Sequence, residues 1–147
     1  MNNTIHYLQQ YFRATPAWYQ WANRENIEGS ERVGAYVLGV FEGATAPREG
    51  ILSEKVVYVG VAQGRTRSLR LRWRDFDRTA QGRADNHSGA STFREKNFDL
   101  KKVWLVAFPV SDGVTQAEAG CLAQLFEREI LWHYCKKNKR LPACNKK

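Results

Sequence analysis

Six arginines, Arg65, Arg67, Arg70, Arg72, Arg74 and Arg78, crowd one short stretch with only two acids between them, Asp75 and Asp77. Such a run suits a polyanion, because each guanidinium that neutralises a phosphate releases that phosphate's counterion. A solvated basic face is the plainer use of most of them. The whole chain leans the same way: 23 Lys plus Arg face 15 Asp plus Glu, giving a net charge of +8 and an isoelectric point near 9.6. Charge of this kind serves DNA or RNA, and binding or cleavage, equally well. Glu118 closes the pattern Thr115-Gln116-Ala117-Glu118, a capping box, so its carboxylate either caps a helix start or is free to bind a cation. His87, in Asn86-His87-Ser88-Gly89, belongs to the residue type that titrates nearest neutrality. His6 and His133 read as structural. Cys121, Cys135 and Cys144 are odd in number and form no C-x-x-C pair. They read as inert thiols of a reducing cytoplasm, which excludes a disulfide framework and argues against zinc.

These groups need elements to hold them. Arg32 to Phe41 (RVGAYVLGVF) and Lys55 to Ala62 (KVVYVGVA) are short, β-branched and aromatic, and read as a strand hairpin with a long Gly/Pro-bearing connection. Arg65 to Ala80 reads as a helix, with Leu69, Trp73 and Phe76 as its apolar stripe and arginines around the rest. Gly82 to Ser91 is a polar loop, and Lys101 to Val110 is a third strand. Thr115 to about Lys136 is the last helix, with Cys121, Leu122, Leu125, Phe126, Ile130 and Trp132 as its apolar side. Before all of this, Asn3 to Asn23 reads as two short helices, the second capped by Thr15 with Pro16 at its first position. The expectation is an α+β domain: a small three-stranded antiparallel sheet flanked by helices over residues 32–147, with an N-terminal helical extension over residues 1–31.

On those elements the sequence resembles the GIY-YIG nucleases. Gly34-Ala35-Tyr36 and Tyr58-Val59-Gly60 look like the two signature triplets, and Ser68-Leu69-Arg70-Leu71-Arg72 resembles the segment where an arginine projects from the first helix. Glu118 matches the metal-binding glutamate and Asn145, within LPACN, the asparagine near the domain's end. The resemblance covers roughly Val33 to Asn145. It implies a metal-dependent endonuclease acting on double-stranded DNA with Mg²⁺ or Mn²⁺, of a restriction-like or mobile-element type and acting as a monomer or homodimer. In that reading Glu118 holds the cation, and the long interval from Glu118 to Asn145 keeps Glu127 and Glu129 as alternative ligands. Arg72, with Arg70 next, neutralises phosphate oxygens. Tyr36 and Tyr58 stand at the reacting groups, Tyr36 helping to activate water, and Asn145 orients them or merely terminates the fold. Relatives often carry a His or Tyr one turn after the helix arginine. Phe76 occupies that place here, so His87 could supply the acid/base group from the neighbouring loop. Arg65, Arg67, Arg70, Arg74 and Arg78 are read as DNA contacts.

Length and composition are compatible with this. The 147 residues, 43% hydrophobic and 12% aromatic, suffice for one packed core and are too apolar for a disordered chain. No apolar run reaches membrane-spanning length and no signal-peptide pattern follows Met1, so the expected location is the cytoplasm, with no membrane partner. The rival expectation is a non-catalytic nucleic-acid-binding protein on the same scaffold.

Overall fold

The computed structural model describes residues 10–12, 16–64 and 67–146. An antiparallel sheet organises the chain, in the order β1 (Tyr19–Gln20), β4 (Val103–Pro109), β2 (Gly34–Val40), β3 (Val56–Ala62). Strand β2 is flanked on both edges and covered on both faces, which is why its residues Gly34 to Gly39 are all buried and its sequence runs apolar without alternation. Its register sets Tyr36 opposite Gly60 on one side and opposite Ala107 on the other. On β3 the register slips between Tyr58, paired with Leu38, and Val56, paired with Gly39. Val57 is the extra residue of this bulge, and it lets Val57 and Tyr58 share one face while Val56 turns to the other.

Helices cover both faces. Helix α1 (Leu69–Ala80) lays Leu69, Trp73 and Phe76 on the face that carries Tyr36, Leu38, Val57 and Leu105, and α2 (Ser88–Glu95) adds Ala90 and Phe93 to the same layer. Helix α3 (Gln116–Asn138) packs Ala123, Phe126, Ile130 and Tyr134 on the opposite face, against Ala35, Val37, Val59 and Phe108. No helix of the described residues is long and apolar enough to cross a membrane.

The α+β class stands, with several corrections. The sheet has four strands rather than three, because Tyr19 and Gln20 pair with Leu105 and Trp104. That stretch was expected in a helix. Among the described residues of that stretch the one helical piece is a short 3-10 turn at Trp21–Asn26; Pro16 to Trp18 are not helical and Phe12 bridges to Val110, while residues 3–9 and 13–15, with Thr15, lie outside the described residues. Trp21 and Ile27 are buried in the α1 layer, so this part of the N-terminal segment belongs to the core. Helix α1 begins at Leu69 instead of Arg65, since Ser68 caps it through Leu71 N–H. Ser88 to Ser91, expected as the end of the polar loop, instead open α2: the small Gly89 and Ala90 hid a buried face behind a polar composition. On α3, Cys121, Leu125 and Trp132 point outward instead of joining the apolar side.

Candidate functional site

Tyr36 is fully buried at the middle of β2, and Tyr58 is partly exposed on the neighbouring edge strand, their ring centroids 6.0 Å apart. Two glycines make room for this pair. A Cβ on Gly60 would stand 2.5 Å from Tyr36 Cζ and 2.5 Å from Tyr58 Cε2, and one on Gly89 would stand 2.4 Å from Tyr58 Cε1. Gly34 serves a different purpose, since its missing Cβ would collide with the Phe108 carbonyl of β4.

His87 closes the cluster from above. It is the N-cap of α2, where its Nδ1 accepts the Ala90 backbone N–H at 3.2 Å, while its Nε2 lies 3.1 Å from Tyr36 Oη. Because Nδ1 must accept, the neutral ring carries its proton on Nε2 and donates it to Tyr36. Burial and then the Arg72 charge push the imidazole down to about 3. His87 is therefore brought to the site as expected, but as a neutral donor and not as a group that titrates near neutrality.

Among the described arginines of the run, Arg72 alone is drawn among these rings: its charge lowers Tyr36, Tyr58 and His87, and it reaches the Asn86 carbonyl at 3.5 Å. Burial nevertheless holds Tyr36 well above the ordinary phenol value and raises Tyr58 as well. The proton donors thus run in one direction, from Ala90 N–H through His87 to Tyr36, with Tyr58 and the Arg72 guanidinium beside them. Tyr36 in this setting is a proton donor rather than a base.

The other arginines serve elsewhere. Arg67 pairs with buried Asp75 at 2.7 Å and Arg70 donates to Ser30 Oγ at 3.0 Å. Arg74 and Arg78 are exposed, and Arg65 lies outside the described residues.

Glu118 is a helix cap. Its Oε1 accepts the Thr115 N–H at 2.8 Å, its own N–H donates to Thr115 Oγ1 at 3.1 Å, and the first of these bonds holds its carboxyl below the usual range. It stands about 13 Å along the helix from Glu127, at ~1.5 Å per residue. Glu127, half-buried on α3, is the carboxylate whose charge reaches and raises both Tyr36 and Tyr58. Burial lifts its own carboxyl above the usual range, against a smaller opposing pull from Arg128. Among the described residues no three His, Cys, Asp or Glu side chains gather into a cage for a metal. The donor set fits a hard cation held by one carboxylate, with phosphate oxygens and waters filling the remaining positions. Glu129 is directed to His133, 3.6 Å away.

No known protein family, curated protein or solved structure matches the chain. What the site can do therefore rests on its own geometry: an arginine, two tyrosines of which Tyr36 is hydrogen-bonded by a neutral histidine, and a carboxylate whose charge reaches both tyrosines.

Asn145 grips β3 instead of the tyrosines, with Val59 N–H donating to Oδ1 at 2.9 Å and Nδ2 donating to Val59 O at 2.9 Å. Sequence reasoning missed the support of His87. Asn86 Nδ2 donates to Asp75 at 3.2 Å, Thr79 Oγ1 donates to Asn86 Oδ1 at 2.9 Å, and Asn86 N–H returns to Thr79 Oγ1 at 3.3 Å. Helix α1 so holds the residue before His87 at three points. The buried polar residues Asp75 and Thr79 on the apolar side of that helix were the available signal.

Proposed function

We propose that the chain is a GIY-YIG-type nuclease, a divalent-metal-dependent endonuclease that hydrolyses DNA phosphodiester bonds, with Glu127 in the place first assigned to Glu118. The observation that carries this reading is the convergence of Arg72, Tyr36, Tyr58 and His87, with Glu127 near enough for its charge to raise both tyrosines. Hydrolysis adds a water oxygen to phosphorus, breaks the bond to the leaving sugar oxygen, and moves one proton from the water and one to that oxygen. Arg72 meets the phosphate oxygens and neutralises charge that grows in the transition state. Tyr58, the more exposed tyrosine, gives its hydroxyl proton to the leaving oxygen while solvent takes the proton of the attacking water and later restores that of Tyr58, and Tyr36 with His87 packs behind it. Glu127 would hold Mg²⁺ or Mn²⁺, which when bound would offset the negative charge that builds on the phosphate oxygens.

Plasmid DNA incubated with Mg²⁺ or Mn²⁺ tests this. Glu127→Gln is expected to bind DNA and to lose cleavage by about a hundredfold or more, of the order seen when a transition-state charge partner is removed. Glu118→Gln is expected to cleave normally, because glutamine at that position keeps the capping box. If the wild type binds DNA and never cuts with either metal, the chain is a binding protein on this scaffold. If Glu118→Gln abolishes cleavage and Glu127→Gln does not, the ligand assignment is reversed.

A further inference from the structure

Among the described residues, helix α3 buries one side and leaves the other uncovered. On its outer side stand Leu125, 49% exposed, and Trp132, 59% exposed, with Arg128 between them at helical spacing. One turn beyond Trp132, the Lys136 ammonium lies 5.6 Å from the indole centroid. A tryptophan this open presents a large apolar face to water, unlike Trp21, Trp73 and Trp104, which are buried. Its surroundings are lopsided in charge: from Arg128 to Arg140 the chain carries five basic residues and one acid, Glu129. That acid is already directed to His133. A second copy of the chain is a poor occupant, because twofold pairing of this face would set these positive charges against their own copies. A polyanion with flat apolar faces answers both features.

The face also leads to the candidate site. Glu127 shares a shallow concavity with Leu125 and Arg128, so a strand lying over Arg128 and Trp132 arrives beside the carboxylate proposed to hold the cation. A projecting indole can stack only on a base whose face is open, and in an unbroken duplex neighbouring bases cover those faces. We propose that the outer face of α3 is a stacking platform for an unpaired nucleotide, with Trp132 under the base and Arg128 and Lys136 on the flanking phosphates. The substrate class is then DNA that carries a single-stranded overhang, flap or branch next to the phosphodiester to be cut. This inference rests on the nucleic-acid reading above and narrows it.

Fluorescence anisotropy in EDTA, where cleavage does not interfere, tests it with labelled oligonucleotides: a short single strand, a duplex with a single-stranded overhang, and a blunt duplex. Trp132→Ala is expected to weaken the single strand and the overhang by about tenfold or more, the usual loss for one base–aromatic stack, and the blunt duplex by less than about twofold. Trp132→Phe should restore most of the affinity, and Arg128→Ala should weaken the same two ligands and flatten their salt dependence. Equal affinities for wild type and Trp132→Ala, or equal losses on all three ligands, overturn the platform and leave the nuclease proposal standing. A shift from dimer to monomer in Trp132→Ala at unchanged affinity shows a homodimer face and overturns it too. If the wild type binds none of the three, both readings fall.

Discussion

Burial decides what His87 can do. An imidazole held down to about 3 in the fold and free to titrate near 6.5 in the unfolded chain makes folding proton-sensitive. Above about pH 7 both states are neutral and the linkage contributes nothing. As pH falls through 6.5 the unfolded chain takes up a proton that the fold refuses, and stability drops until about pH 3, by at most about 1.4 kcal/mol per pH unit. Glu127, raised by burial, moves stability the opposite way, so the comparison must be made against a variant. His87→Asn retains an N-cap for α2 and removes the titration. Urea unfolding of both proteins from about pH 7 to about pH 4 should show the wild type losing stability faster than His87→Asn. Parallel curves would mean that His87 takes up its proton at the same pH in the fold as in the unfolded chain, so that burial does not keep it neutral.

At the level of elements, the tail behaves as part of the sheet. Strand β3 is an edge, and Asn145 covers it by pairing its amide with both the N–H and the C=O of Val59 while Cys144 N–H donates to Val57 O at 2.7 Å. Asn145→Ala removes both side-chain bonds and is expected to cost about 1–3 kcal/mol, seen as a lower denaturant midpoint, with cleavage falling only as far as the unfolded fraction grows. Unchanged stability with lost cleavage would instead give Asn145 a direct place in the chemistry. The elements differed in how plainly their sequence announced them. Strands β2 to β4 and helix α3 were readable because their apolar runs and the Thr115 cap are local signals. Strand β1 has two residues and exists only through Leu105 and Trp104, far along the chain. Helix α2 was hidden because glycine at position 89, which Tyr58 requires, argues against a helix when read alone. The same limit applied to the acids: the capping role of Glu118 was spelled out over four residues, whereas the reach of Glu127 to Tyr36 and Tyr58 depends on how α3 crosses the sheet.

Over the whole molecule, the net charge of +8 states a preference for polyanions, but the fold sorts which charges can act on it. Within the arginine run, Arg67 is bound to Asp75, Arg70 is turned towards Ser30, and Arg72 is drawn among the rings of the candidate site. Arg74 and Arg78 are exposed along α1 and remain available for a phosphate track beside that site. For duplex DNA each neutralised phosphate adds about 0.9 to the steepness of log affinity against log salt. The double variant Arg74→Ala/Arg78→Ala is therefore expected to bind duplex more weakly at low salt, with a slope shallower by about 0.9 per arginine engaged. Arg67→Ala is expected to lower stability, because it strands the buried Asp75 carboxylate without its cation, while leaving the slope within about 0.5 of wild type. If the double variant keeps the wild-type slope, α1 does not track phosphates. The sequence-independent binding would then have to come from the basic end of α3, where Lys136, Lys137, Lys139 and Arg140 are all exposed.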